Sequence, residues 1–209
     1  MVNGTLQDER LRLIRLTIDL TKQNGRTITL ADLAAETRIT RSRLQEIFED
    51  DDALFDGVVE EWFAPKLVIM DEVMASDLPP RRKLYEFVAR RYLQQRDLYR
   101  ADPIGYRVFL ELGEQHLERA RSYIDLADHY MCELIAEAQA DEHFPGLEIN
   151  EVLSLMNQML NCYIQPVNLT YMDARLSEEK LGRIVDAMFD GLSGEDRGAK
   201  SVSSLRAAN

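Results

Sequence analysis

The stretch LAAETRITRSRLQEIF, Leu33 to Phe48, decides how this chain folds. With Leu30 just ahead of it, its apolar residues come in two short helical clusters, Leu30, Leu33 and Ala34, then Leu44, Ile47 and Phe48, with only Arg38-Ile39 between the helices that carry them. Thr29 and Thr40 stand where each helix would start and can cap its first free N–H groups. Two helices this short bury little alone, so they must cross closely at a small residue and lean on a third. Ala34, with Ala35 beside it, is small enough for the crossing, while Ile39 and Leu44 are placed to close the corner. Upstream, Leu11, Ile14 and Ile18 recur at helical spacing until Asn24-Gly25, a pair suited to ending a helix. Downstream, the acidic run Glu49 to Asp52 sits where a fourth helix would begin, ahead of Leu54, Phe55, Val58, Val59 and Trp62.

A supported pair of this kind is a helix-turn-helix, whose second helix enters the DNA major groove amino end first. The residues this presents to base edges are Arg41, Ser42, Arg43, Gln45 and Glu46. Arginine can donate twice to guanine, glutamine pairs with adenine, and glutamate accepts from cytosine. Thr29 and Thr40, at the two helix starts, are placed for phosphate contacts through hydroxyl and backbone N–H groups. The competing interpretation makes Arg38, Arg41 and Arg43 a solvated face paired with Glu36 and Glu46. The terminal position and the closed corner favour DNA.

Composition alone argues the other way. With 37 acidic against 25 basic side chains the net charge is -12, so the body repels nucleic acid and anionic lipid, and phosphate contact requires a local cationic patch. At 45% hydrophobic residues the chain should hold a packed core. Charges interrupt every apolar window, so no membrane span is expected. The beginning MVNGTLQDER lacks a secretion signal, and Cys132 and Cys162 lie outside any CxxC spacing, which together predict a cytoplasmic protein.

Beyond Trp62, Pro65 and the Asp77-Leu-Pro-Pro segment punctuate the chain, and Pro79-Pro80 should open a helix through Leu84, Phe87, Val88 and Tyr92. Further helical patterns start at Asp102-Pro103, run from about His116 to Ala140, and cover Asn150 to Met172 with a disturbance at Pro166. Ser177 opens a last helix with a stripe from Leu181 to Leu192. No strand is predicted. The expectation is an all-α protein of about nine helices. Residues 1–63 would form the DNA-binding domain, 64–192 a second helical domain, and 193–209 a flexible tail.

From LIRLTIDLTKQNG through TLADLAAETRITRSRLQEIFEDDDALFDGVVEEWF the sequence resembles the TetR family of bacterial one-component transcriptional regulators. It departs from the family pattern in having Arg38 for the usual glycine, Gln45 and Ile47 for usual aromatics, and Asp51 where a phosphate-contacting lysine is common. Arg38 would then need a left-handed backbone.

The resemblance implies a repressor released from a palindromic double-stranded operator by a small-molecule effector, with middle helices enclosing the effector and the last two helices pairing in a homodimer. For the effector site we single out Tyr92, Tyr99, Tyr106, Phe109, Tyr130, Met156 and Met159, whose rings and thioethers suit an adaptable apolar cavity. Asn157 and Asn161 share a rough face with Asn150 and Asn168, and these either line the pocket, cross the dimer seam or face water. For the seam the stripe offers Leu181, Ile184, Val185, Met188 and Phe189, which could equally pack within one chain.

No GxxxxGK[ST], GxGxxG, HExxH or GxSxG element occurs, so no enzymatic activity and no cofactor are expected. Glu111, Glu114 and His116 lie close together but lack the paired Glu-x-x-His helices of a di-iron bundle, so no metal is expected either. The alternative from another class is an all-helical protein-interaction module with weak or lost DNA binding, which the acidic run after Phe48 keeps open.

Overall fold

The computed structural model describes residues 2–194. Among these there are eleven α-helices and no strand. In chain order they are α1 (Val2–Asn24), α2 (Leu30–Thr37), α3 (Arg41–Gln45), α4 (Asp51–Met74), α5 (Pro80–Ala101), α6 (Pro103–Gln115), α7 (Leu117–Ala140), α8 (Ile149–Met159), α9 (Asn161–Ile164), α10 (Leu169–Met172) and α11 (Glu178–Ser193). The all-α expectation holds. The flexible tail assigned to 193–209 lies, from residue 195 on, outside the described residues.

Local chemistry sets most of the ends. Gly25 takes φ +65, a left-handed conformation that costs glycine nothing, and its N–H bonds the Thr21 carbonyl at 2.9 Å to close α1. Asp102 caps α6 through the Gly105 N–H at 2.9 Å, with Pro103 at the first helical position.

Two predicted boundaries differ from those observed. Pro65 does not interrupt α4, which runs through it. Its exposed ring removes one backbone donor, an interior cost of ~3 kcal/mol. Leu54 and Val58 before it, and Met70 and Val73 after it, are each 4% exposed or less, and burying side chains of this size contributes about 1.5–3 kcal/mol apiece. The 149–172 region is instead more broken than expected, which raises the helix count above nine. The residue before Pro166, Gln165, is forced into an extended conformation (φ -87, ψ 114), and a 3-10 turn over Pro166–Asn168 follows.

The chain divides at Ile69/Met70, Leu93/Gln94 and Asp125/Leu126 into two compact units. The first, which includes the amino-terminal helices, packs Leu13, Ile14, Leu33, Leu44, Phe48 and Leu54 into one cluster. Gly57 lets α1 and α4 approach: a Cβ there would fall 2.7 Å from Ile14 Cδ1. The second unit buries Phe87, Met131, Leu134, Val152, Met156 and Phe189.

Candidate nucleic-acid interface

The α2–α3 pair is built as its capping residues dictate. Thr29 Oγ1 accepts the Asp32 N–H at 3.2 Å, while the Asp32 carboxylate accepts the Thr29 N–H at 2.9 Å and its hydroxyl at 2.8 Å, a reciprocal capping box. Arg26 clamps the same carboxylate with two bonds of 2.8 Å. The clamp, then the two Thr29 bonds, holds the Asp32 carboxyl well below the usual carboxylate range. Arg38 ends α2 with φ 60 and ψ 14, its N–H on the Ala34 carbonyl at 3.1 Å. The left-handed turn predicted for that position is present and costs a residue with a Cβ about 1 kcal/mol. Thr40 then caps α3, accepting the Arg43 N–H at 3.3 Å.

The recognition residues occupy one small helix face. Arg41, Ser42, Gln45 and Glu46 are exposed, whereas Leu44 on the opposite side is fully buried. Among the described residues Arg41 has no ion pair. Arg43 is half-buried and doubly engaged: it donates to Glu46 at 2.6 Å and to Glu9 of α1 at 2.7 Å. These two carboxylates, Glu46 first, raise its pKa further above the ordinary arginine range. Part of the solvated-face pairing is therefore realised, and it involves Arg43 alone.

Thr29 sits differently from Thr40. Its hydroxyl and N–H are both taken by Asp32, and the next N–H, of Leu30, donates to Asp51 at 2.6 Å. The amino end of α2 thus carries two carboxylates from the chain itself. Asp50 caps α4 through the Ala53 N–H at 2.8 Å, and Asp52 pairs with Arg119 of α7 at 3.0 Å. Arg119 also bonds Asp56. Three of the four acids of the run, Asp50, Asp51 and Asp52, are thus engaged within the chain. Sequence reasoning does not single out Glu9, Arg26 or Arg119; of the three only Arg26, just ahead of the Thr29 cap, carries a signal in its local spacing.

The residues singled out for an effector fall into two groups. Tyr99, Tyr106 and Phe109 belong to the first unit. Tyr106 is buried, meets Tyr99 edge-on at 5.5 Å and donates to Gln95 at 3.1 Å, and burial pushes its hydroxyl pKa up. Phe109 stacks on Trp62 at 4.7 Å. Tyr92, Tyr130, Met156, Asn157, Met159 and Asn161 belong to the second. Tyr92 meets Tyr163 edge-on at 5.1 Å, Tyr130 donates to Asp71 at 2.5 Å, and Met156 is buried. Asn157 donates to Asp128 at 3.1 Å, while Met159 and Asn161 are exposed. Asn150 is exposed as well, and Asn168 donates to the Asn161 carbonyl at 2.9 Å.

The α11 stripe is covered by its own chain. Leu181, Val185, Met188 and Phe189 are 0–1% exposed, and Phe189 packs on Phe144 at 4.8 Å. Ile184 is half-buried. The packing-within-one-chain interpretation thus accounts for four of the five residues without a second copy.

The sequence matches the Tetracyclin repressor-like, C-terminal domain family over residues 80–185, half of the chain. The chain belongs to the TetR family. Solved TetR-like structures agree in fold. A candidate transcriptional regulator from Pseudomonas aeruginosa PAO1 is similar with a TM-score of 0.67 at 12% identity, over 91% of this chain and 93% of its own. A TetR/AcrR-family regulator from Thermobifida fusca YX-ER1 reaches 0.60 at 14% identity, over 88% and 98%. The fatty acid degradation regulator FadR from Bacillus halodurans reaches 0.59 at 15% identity, over 88% and 96%. No curated protein matches the sequence. The TetR-family fold is that of a transcriptional regulator. Among the described residues no helix is long and apolar enough to cross a membrane, and no three His, Cys, Asp or Glu side chains are grouped to hold a metal ion.

Proposed function

We propose that this TetR-family protein is a cytoplasmic homodimeric repressor. Residues 1–63 grip a palindromic DNA operator, and residues 64–192 bind a small effector that releases it. The observation that carries this reading is the α2–α3 corner: a capped pair closed by a left-handed Arg38, with Arg41, Ser42 and Gln45 presented outward. Arg41 and Gln45 supply donors suited to guanine and adenine edges, and Thr40 keeps its hydroxyl proton free for a phosphate oxygen. Two such heads on a dimer reach half-sites one or more DNA turns apart, so an effector that changes their spacing lowers affinity for both together.

The protein-interaction alternative drew on the run Glu49 to Asp52. Asp50, Asp51 and Asp52 each hold a partner within the chain, which gives the run a structural role in α2 and α4, although all four acids remain exposed. Selection of bound fragments from random duplex DNA tests the proposal. Recovery of a twofold motif supports it, and recovery of no motif at physiological salt rejects it in favour of the alternative.

A further inference from the structure

Helix α5 aligns Lys83, Phe87 and Arg91 on one face, each four residues after the last. Lys83 and Arg91 are treated very differently by the protein around them. Lys83 is buried and has a counterion, Glu137 of α7, at 2.8 Å. Arg91, two turns further on, has none within ion-pairing distance among the described residues. Its guanidinium lies over the Phe87 ring at 4.9 Å, and its Nε is sealed from solvent with no hydrogen-bond partner.

The acid whose charge acts on Arg91 is Asp128 of α7. Its charge acts on Arg91 across a gap, while its carboxylate accepts from Asn157 of α8 instead. The same charge, after burial, pushes up the thiol of Cys132 one turn along α7, so the negative field of Asp128 is shared. Enclosure, only partly offset by Asp128, brings the Arg91 pKa down to about 10, so it remains a cation at neutral pH. A buried cation with unmet donors is costly unless an anion completes it. The residue as a whole is half-buried and so keeps a partial opening to solvent.

We infer that Arg91 is the anchor of a carboxylate-binding site in the second unit, where a ligand's carboxylate takes the part that Glu137 plays against Lys83. Guanidinium and carboxylate match as a two-bond fork, a geometry that neither an alcohol nor an amine can reproduce. The Phe87 ring under the guanidinium favours a ligand whose remainder is uncharged. This rests on the effector reading above and specifies the effector's class as apolar monocarboxylates.

Calorimetry on the full chain without DNA, using straight-chain carboxylates from hexanoate to tetradecanoate below their micelle concentrations and the matching primary alcohols, tests it directly. At least one carboxylate should bind tenfold or more tightly than its alcohol. Arg91→Met should abolish that preference, and Asp128→Asn, which removes the competing charge, should tighten carboxylate binding. Equal binding of acid and alcohol, a preference that survives in Arg91→Met, or no binding by any carboxylate overturns the site. Should Arg91→Met fail to fold, Asp128→Asn decides, since unchanged or weaker carboxylate binding there also overturns it. Failure here alongside a recovered operator motif removes only the carboxylate site. Carboxylate binding without any recovered operator removes only the DNA reading.

Discussion

Asp51 Oδ1 accepts the backbone N–H of Leu30 at 2.6 Å, tying the first turn of α4 to the first turn of α2. The family pattern commonly has a phosphate-contacting lysine at this position; here a carboxylate does internal work. Asp51→Ala should lower the free energy of unfolding by about 1–2 kcal/mol, the typical cost of losing a helix-start acceptor, read as a urea midpoint. An unchanged midpoint would show that water replaces the bond.

Glu9 and Glu46 both hold Arg43, so under the proposed function they would compete with DNA for it. Glu9→Gln should tighten binding to any duplex about two- to fivefold, the scale of a surface ion pair of up to ~1 kcal/mol. Arg43→Ala should flatten sequence preference, whereas Thr40→Ala should weaken all sequences evenly. Electrophoretic titrations on matched and scrambled sites separate these outcomes. Loss of preference in Thr40→Ala alone would reverse the assigned roles.

Arg38→Gly should separate stability from binding. Glycine adopts φ 60 without a Cβ penalty, so folding should gain up to about 1 kcal/mol, while the lost cation should reduce the log-affinity versus log-salt slope by about one. A slope that does not change would place Arg38 away from phosphate.

Asp32 sets a pH limb. Its folded pKa lies below the ordinary value of ~3.9, so its contribution to stability is present above that value and is lost as pH falls from there toward the folded pKa. The wild type should lose more stability between about pH 7 and about pH 3 than Asp32→Asn does, measured by urea unfolding at each pH. Parallel losses would mean that Arg26 and Thr29 do not stabilise the ionised form.

The features legible in the sequence were those written locally. Thr29, Thr40 and Asn24-Gly25 each act on backbone within a few residues, so spacing reveals them, whereas the left-handed Arg38 follows from the family resemblance, which has glycine there. Contacts between distant positions were not legible: Arg43 meets a glutamate 34 residues away, and Arg119 meets Asp56 63 residues away. Nothing in either neighbourhood marks its partner. The stripe on α11 was legible as buried, but periodicity does not say what buries it, and here four of its five residues are covered by the same chain.

That covering changes how assembly should be probed. Met188→Asp puts a charge at a site 1% exposed and should cost ~3–5 kcal/mol of folding, so it says nothing about subunits. Ile184→Asp, on the rim, should leave the helical spectrum intact and yield monomers by sedimentation if the last helices pair. A folded variant that still sediments as a dimer would move the seam elsewhere.

With its oily side turned inward, α11 shows the outside world Arg183, Asp186, Ala187, Asp190 and Gly191, two of whose acids are already held by Arg81. Two copies meeting along that row would bring acids face to face across a twofold axis, softened only by the arginines each brings along. With two acids and two arginines on each copy, their association would respond little to added ions, while the proposed grip of the Arg38–Arg43 corner on DNA would weaken under the same change. Ionic strength would then loosen the proposed hold on DNA without parting the two subunits.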